Sequence, residues 1–481
     1  MSVDTGNNDD SGKLYADHKK IYPLTVRGTF RRIKWGILIG GLAIYYLLPF
    51  LRWDRGLDRP DQAILLDLAG RRFFFFGIEI WPQEIYYVTG LMVVAAFVLF
   101  LTNALAGRLW CGYLCPQTVW TDLYFMVERV FQGERREQMK RDAGPWTFDK
   151  LWRKAITHVV WVFVAVATGG AWVLYFADAP TLLWEILTFR ADGVAYVWIA
   201  ILTTTTYLLA GFAREQVCLY MCPWPRIQAA LTDEWALIVS YRVDRGEPRG
   251  SLKQNKKLRA AGQSAGDCVD CGQCVQACPT GVDIRDGLQM GCIQCGLCID
   301  ACDAVMAKTG QKPRLIGYDT DINIERRERG EAPIYKFVRP RTLIYVVLIV
   351  LVSAVMGWRL STRATLGVNV LHDRNPQFVV NSDGSIRNGY TVRLLNKAAA
   401  KRELALAVVG APKGAALETS SPAERRDGAL VFTVEPDQTR EIRVLVTAPP
   451  TATVASSSGL EFTLRDATGE TAVAKDFFKA P

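Results

Sequence analysis

The feature that most constrains this chain is a set of five apolar runs. About 20 consecutive apolar residues suffice for a helix to cross a bilayer, and such runs cover 33–50, 85–105, 158–176 and 194–212, with a shorter fifth at 343–356 and its flanks. Trp358 supplies that last run with an aromatic interface anchor. At 481 residues the chain is long enough for two or three further units around these helices. The first 30 residues are polar and charged, and no small-residue cleavage site follows the first run. That run is therefore expected to stay as an anchor and not to act as a signal peptide.

The net charge is +9. Its distribution points to membrane orientation and away from nucleic acid, because Lys and Arg collect in particular connections. The N-terminal stretch carries Lys19, Lys20, Arg27, Arg31, Arg32 and Lys34, and the second-to-third connection carries Arg108, Arg129, Arg135, Arg136, Lys140, Arg141, Arg153 and Lys154. The third-to-fourth connection has only Arg190, and the first-to-second mixes arginines with Asp54, Asp58, Asp61 and Asp67. The positive-inside rule then puts the N-terminus and the 214–341 connection inside and the C-terminus outside.

All twelve cysteines fall between Cys111 and Cys302, on the inner side of this topology, and none lies in the outer C-terminal region. A disulfide framework would show the opposite distribution, so metal or redox chemistry is expected of them. CVDCGQCVQACP (268–279) has the spacing C-x2-C-x2-C-x3-C-P, and CIQCGLCIDACD (292–303) repeats it with Asp303 in place of the proline. This is the bacterial two-cluster ferredoxin pattern, in which the fourth cysteine of each run serves the other cluster. It predicts one [4Fe–4S] cluster on Cys268, Cys271, Cys274 and Cys302, and a second on Cys292, Cys295, Cys298 and Cys278. Gly272 and Gly296 suit the tight backbone between ligands. Structural zinc, which takes four ligands as two C-x2-C pairs, fits eight cysteines in this pattern poorly.

The other four cysteines form two copies of another motif, CGYLCP (111–116) and CLYMCP (218–223), each following a membrane run. Pro116 and Pro223 suit the first turn of a helix. That places Cys115 and Cys222 at helix N-caps, where the helix dipole favours thiolate. If the copies converge, Cys111, Cys115, Cys218 and Cys222 make a four-sulfur site, and soft thiolates select Cu(I), zinc or iron–sulfur. The bland alternative is that these cysteines simply pack as small hydrophobes. The neighbouring charges Asp122, Glu128 and Arg129 read as a solvated face.

The expected organisation is a tail (1–31), a four-helix membrane core (32–245), a basic linker (246–266), a two-cluster ferredoxin domain (267–310), a polar linker (311–341), a fifth membrane helix (342–360) and an all-β domain (361–481). In the last region about seven short β-rich runs alternate with turn signals, which predicts a sandwich. Its lone His372 reads as structural. The fold class is thus membrane α-helical with an inserted dicluster ferredoxin-like domain and a C-terminal all-β sandwich.

The segments KIYPLTVRGTFRRIKW (20–35), ALAGRLWCGYLCPQTVWTD (104–122), FAREQVCLYMCPWPRIQ (212–228), RGEPRG (245–250) and the cysteine block through CIDACDAVMAKTG (298–310) resemble the FixG/CcoG (RdxA) family, and Asp303 matches that family too. The resemblance spans nearly the full length. It implies an accessory factor for assembly of the cbb-type haem–copper cytochrome c oxidase, with an Ig-like C-terminal domain. The implied activity is a cupric reductase that turns Cu(II) into Cu(I) on the cytoplasmic side, with Cys111, Cys115, Cys218 and Cys222 as its copper or redox site. It further implies a multi-pass protein of a bacterial cytoplasmic (inner) membrane with a periplasmic sandwich. Oxidase assembly factors or a copper transporter are the implied partners.

The first half also resembles NapH-type membrane ferredoxins linked to quinol oxidation. A quinol dehydrogenase is therefore one alternative, although 203–206 and Tyr207 are its only polar membrane signal, and a non-enzymatic redox-sensing scaffold is another. No nucleotide or flavin fingerprint is present, so the electron donor is a partner or a diffusing carrier. An additional metal site, a third cluster and a reversible disulfide all remain open for the C-x3-C-P pairs.

Overall fold

The computed structural model describes residues 20–56, 59–398, 400–426, 428–436 and 438–481. The first nineteen residues of the expected tail lie outside that range. Among the described residues, five helices are long and apolar enough to cross a membrane: Thr29–Phe50, Tyr86–Ala106, Phe148–Val173, Gly193–Ala213 and Pro340–Ser361. The third begins ten residues ahead of its apolar run. Thr147 caps it by accepting from the Lys150 N–H, and Asp149 sits in the first turn. A charged, capped start extends the helix beyond the bilayer-facing part. The third and fourth helices approach closely at Gly169, where a Cβ would stand 3.0 Å from the Ile199 carbonyl. Small residues at such contacts let membrane helices pack backbone to backbone.

The loop of mixed charge after the first helix folds into a three-stranded antiparallel meander, Ile64–Asp67, Arg72–Phe75 and Ile78–Ile80. Arg72 meets Glu79 at 3.2 Å and Arg52 meets Asp61 at 2.5 Å within the loop, and Arg52 also reaches Asp178 of the third-to-fourth connection at 2.7 Å.

Each C-x3-C-P motif leads into a helix, Pro116–Gln132 after the first and Trp224–Leu231 after the second. The charged stretches beyond them are also folded. Arg135–Ala143 is helical behind a Glu134/Glu137 capping box, and Leu252–Ala260 is helical behind a Ser251 cap. The cysteine block is bracketed by a two-stranded antiparallel sheet, Ile238–Tyr241 with Ile316–Asp319, so the stretch read as a polar linker supplies one of its edges. Val239, Ile299, Met306, Leu315 and Ile316 form the buried core beneath it.

The chain divides into two compact units, and the second runs from Gly357 to Pro481. It is a sandwich. One sheet orders Ala416–Thr419, Gln438–Ala448, Ile386–Asn396 and Leu366–His372, with Val379–Val380 also on Ile386–Asn396. The other orders Glu424–Arg426, Ala429–Val434, Arg402–Val409, Ser457–Asp466 and Thr471–Lys479. Alternate residues point inward, as the strand period of two requires, and Tyr390, Leu404, Leu406, Phe432 and Phe462 fill the core. His372 is bonded to Asn388 (3.0 Å) and lies against Tyr390.

Leu406 is fully buried in that core. Leu406→Ala is expected to cost the sandwich about 2–5 kcal/mol, read as a lowered thermal midpoint of the full chain.

Candidate metal centre

The eight cysteines of the block surround two separate cavities. Cys268, Cys271, Cys274 and Cys302 line one, closed by Tyr241, Met306 and Ile316. Cys278, Cys292, Cys295 and Cys298 line the other, closed by Val239, Val282 and Ile284. Among the described residues, no three His, Cys, Asp or Glu side chains are arranged to hold a single metal ion. Four thiols standing around a space, without converging on one point, suit a cluster several irons wide and not a zinc ion.

Both loops use the same irregular backbone. Asp270 (φ 49°) and Gly272 (φ 63°) in the first are matched by Gln294 (φ 54°) and Gly296 (φ 73°) in the second. The glycines are legible as turn residues. The left-handed residue two positions earlier in each loop is not, because Asp and Gln carry no such signal at that spacing. Alternating left- and right-handed residues turn successive N–H groups inward, which favours sulfur anions. At Cys278 the Val282 N–H donates to Sγ at 3.3 Å. Burial raises these thiols: Cys274 is pushed up to about 11, and Cys292 and Cys302 to about 12. An iron–sulfur cluster held there would supply the positive charge that offsets such desolvation.

The first C-x3-C-P motif is docked on the second cysteine loop. Its turn, Leu109–Tyr113, touches the loop backbone to backbone: a Cβ on Gly112 would stand 2.7 Å from the Ile293 carbonyl oxygen and 3.0 Å from the Cys295 Cα. Around that contact the loop carbonyls are held by side chains from outside it. Tyr113 donates to the Cys295 carbonyl (2.9 Å), Tyr318 to that of Gln294 (2.5 Å), and Arg108 to those of Met290 (2.6 Å) and Cys292 (3.3 Å). Arg108 also reaches the Pro225 carbonyl (3.0 Å), which ties in the second motif's helix.

The two motifs come together. The Cys111 thiol donates to Gln228 Oε1 at 3.2 Å, a buried side chain on the helix that follows the second motif. Burial pushes Cys111 up to about 12, with the neighbouring Cys115, Cys218 and Cys222 adding to the shift. Burial likewise pushes Cys218 up to about 11, with Cys115 and Cys222 next in effect. The four sulfurs are thus near enough to influence one another, although no three of them are arranged to hold a single metal ion. Their caps differ. Cys115 is the N-cap of Pro116–Gln132, whereas Pro223 caps Trp224–Leu231 and leaves Cys222 one residue outside. The second motif runs through a wider π-helical turn, Val217–Met221, which accounts for the offset.

The charges beside the first motif are not a solvated face. Asp122 and Glu128 are both buried. Arg31 binds both Asp122 oxygens at 2.9 Å, and Arg214 binds Glu128 at 2.6 Å. Each buried carboxylate thus has a guanidinium as its ion-pair partner. Arg31 and Lys34 keep Asp122 below the usual carboxylate range against the opposing effect of burial.

Comparison with known proteins finds iron–sulfur and FixG-type domains along the same chain. Residues 213–321 match the model of a 4Fe-4S dicluster domain, residues 88–133 that of a 4Fe-4S binding domain, and residues 356–481 that of the Ig-like fold at the C-terminus of FixG. The chain is 47% identical to the "Nitrogen fixation protein FixG" of Rhizobium meliloti over 464 residues, which is 91% of this chain and 88% of that one. It is 48% identical to "Protein RdxB" of Cereibacter sphaeroides over 447 residues, 92% of each. It is 47% identical to "Protein RdxA" of the same organism over 442 residues, 91% of each.

Gly112→Val would drive a branched side chain into backbone that cannot move aside. The expected outcome is a loss of about 1–3 kcal/mol, with less iron retained per chain, measured by thermal unfolding and metal analysis.

Proposed function

The chain belongs to the FixG family, and from that premise we propose that it is a membrane iron–sulfur oxidoreductase that reduces Cu(II) to Cu(I) for assembly of a cbb-type haem–copper cytochrome c oxidase. In this reading Cys268, Cys271, Cys274 and Cys302 hold one [4Fe–4S] cluster, and Cys278, Cys292, Cys295 and Cys298 hold the other. Each cluster, when bound, carries one electron at a time. The substrate Cu(II) takes one electron to become Cu(I).

The observation that carries the reading is that the two motifs bearing Cys111, Cys115, Cys218 and Cys222 are joined by the Cys111–Gln228 hydrogen bond, with the first seated on the backbone of the Cys292–Cys298 loop. Clustered soft thiolates bind Cu(I) better than Cu(II), and that preference itself favours reduction. Gln228 accepts the Cys111 proton's hydrogen bond and holds the sulfur toward its partners. Arg108 and Tyr113 fix the loop behind it through its carbonyls and keep water out of the contact. The charge bias of the connections supports a cytoplasmic cysteine block and N-terminus, with a periplasmic sandwich. A Cu(I) product on that face suits a copper transporter or an oxidase assembly factor as recipient.

The test is Cu(II) reduction by purified, dithionite-reduced protein, wild type beside the Cys111→Ala/Cys115→Ala/Cys218→Ala/Cys222→Ala variant. The expected outcome is about eight irons per chain in both, with reduction lost in the variant. Unchanged reduction would move the chemistry to the block cysteines. Iron above eight that falls in the variant would make the four thiols a third cluster site. Oxidase assembly that survives loss of reduction would leave the chain a scaffold.

A further inference from the structure

Beside the thiol group, at the ends of the third and fourth membrane helices, lies a cavity of about 340 Å³. That volume is within the range of small-molecule sites. Its wall is aromatic. His158 and Trp161 stand one turn apart on the third helix with ring centroids 5.0 Å apart, and Phe212 at the end of the fourth lies nearly parallel to His158, 5.9 Å away at 17°. Tyr207 holds the His158 ring by a 3.0 Å hydrogen bond to Nδ1. His158 Nε2 makes no hydrogen bond among the described residues.

The cations that line the cavity are already paired. Lys20 is 3.0 Å from Asp142, Lys154 is 2.7 Å from the same carboxylate, and Arg214 is 2.6 Å from Glu128. An anionic headgroup would compete with these carboxylates for their cations, whereas a flat neutral ring would not. Arg214 nevertheless has a donor to spare. It is only 7% exposed, and its Nη1 has no hydrogen-bond partner among the described residues.

Arg214 is also strained. It stands four residues before Cys218, as Gly107 stands four before Cys111, and the two share one backbone conformation: φ 44°, ψ −116° for Arg214 and φ 53°, ψ −122° for Gly107. Glycine adopts that conformation freely, and arginine at a cost of about 1–3 kcal/mol. The turn needs no side chain there, yet the second copy carries a guanidinium. Arg214 and Glu215 line this cavity and also the space beside Cys218.

We propose that this cavity binds the headgroup of a membrane quinol, stacked on the His158, Trp161 and Phe212 rings, with one oxygen at His158 Nε2 and the other at Arg214 Nη1. The inference rests on the copper reading, for which it names the electron donor. One quinol gives up two electrons and two protons as it becomes quinone, and the two electrons reduce two Cu(II) to two Cu(I). His158 Nε2 takes one hydroxyl proton, and the other leaves to solvent past Lys20, whose side chain is 37% exposed.

The test is photolabelling of the full-length protein in lipid nanodiscs with an azido-benzoquinone bearing a short isoprenoid tail. The expected label falls on peptides carrying His158 or Phe212. His158→Phe, and separately Arg214→Gly with Glu128→Gln, are expected to weaken labelling about tenfold. Unchanged iron per chain shows that the variants are folded, and the double variant removes strain and charge pair together. Label elsewhere, equal label in both variants, or displacement of the probe by anionic phospholipid would overturn the site. The two readings fail separately. Labelling without copper reduction by dithionite-reduced protein leaves a quinol site and sinks the reductase, whereas copper reduction without labelling sinks only the donor.

Discussion

The first membrane helix starts on a carboxylate of the cysteine block. Asp300 accepts the N–H groups of Phe30 (3.3 Å) and Arg31 (2.8 Å), and a Cβ on Gly28 would overlap its carboxyl. A helix start leaves four N–H groups without intrahelical partners, and here two of them are satisfied from a position between Cys298 and Cys302. The same carboxylate answers the positive end of the helix dipole. Membrane helix and metal-binding loop are therefore fixed to each other at their polar ends. The Gly112 contact, the carbonyl bonds of Tyr113 and Arg108 and the burial of Cys111 belong to the same packed region. Residues 20–28, read as part of a tail, serve it as well: the Leu24 N–H donates to the Gln276 carbonyl at 2.7 Å.

Much of this was legible because its signals are local. Apolar runs declare membrane helices by composition alone, and the cysteine spacing declares its chemistry within twelve residues. What stayed hidden depends on partners distant in sequence. Asp122 and Glu128 look like a polar face until Arg31 and Arg214 arrive from 91 and 86 residues away. The meander at 64–80 has strands of three or four residues among charges, too short for a clear alternation. The helices at Arg135–Ala143 and Leu252–Ala260 did carry local signals, a capping box and a serine cap, but their charge and glycines outweighed those in a reading by composition.

The buried pairs have their own energetics. Removing two charges from water costs more than a surface pair returns, and a buried pair is kept only where geometry and further hydrogen bonds compensate. Arg31 reaches both Asp122 oxygens from its Nη1 with Lys34 3.8 Å from the same carboxylate, and Arg214 adds a 2.7 Å bond to the Gly211 carbonyl. Both pairs flank the helix that follows the first motif, so they set the position of Cys115 at its start as firmly as apolar packing does.

The two C-x3-C-P turns are one backbone shape in two surroundings. Gly107 lies against Gln294, whose amide oxygen would be 2.5 Å from any Cβ placed there, so the first copy admits no side chain. The second copy also faces the cysteine block, through Cys218 and Leu219, but its position equivalent to Gly107 carries the Arg214 side chain. There a guanidinium paired with Glu128 occupies the place that Gln294 closes in the first copy. Duplication supplies the scaffold, and asymmetry of neighbours decides which half is free to specialise.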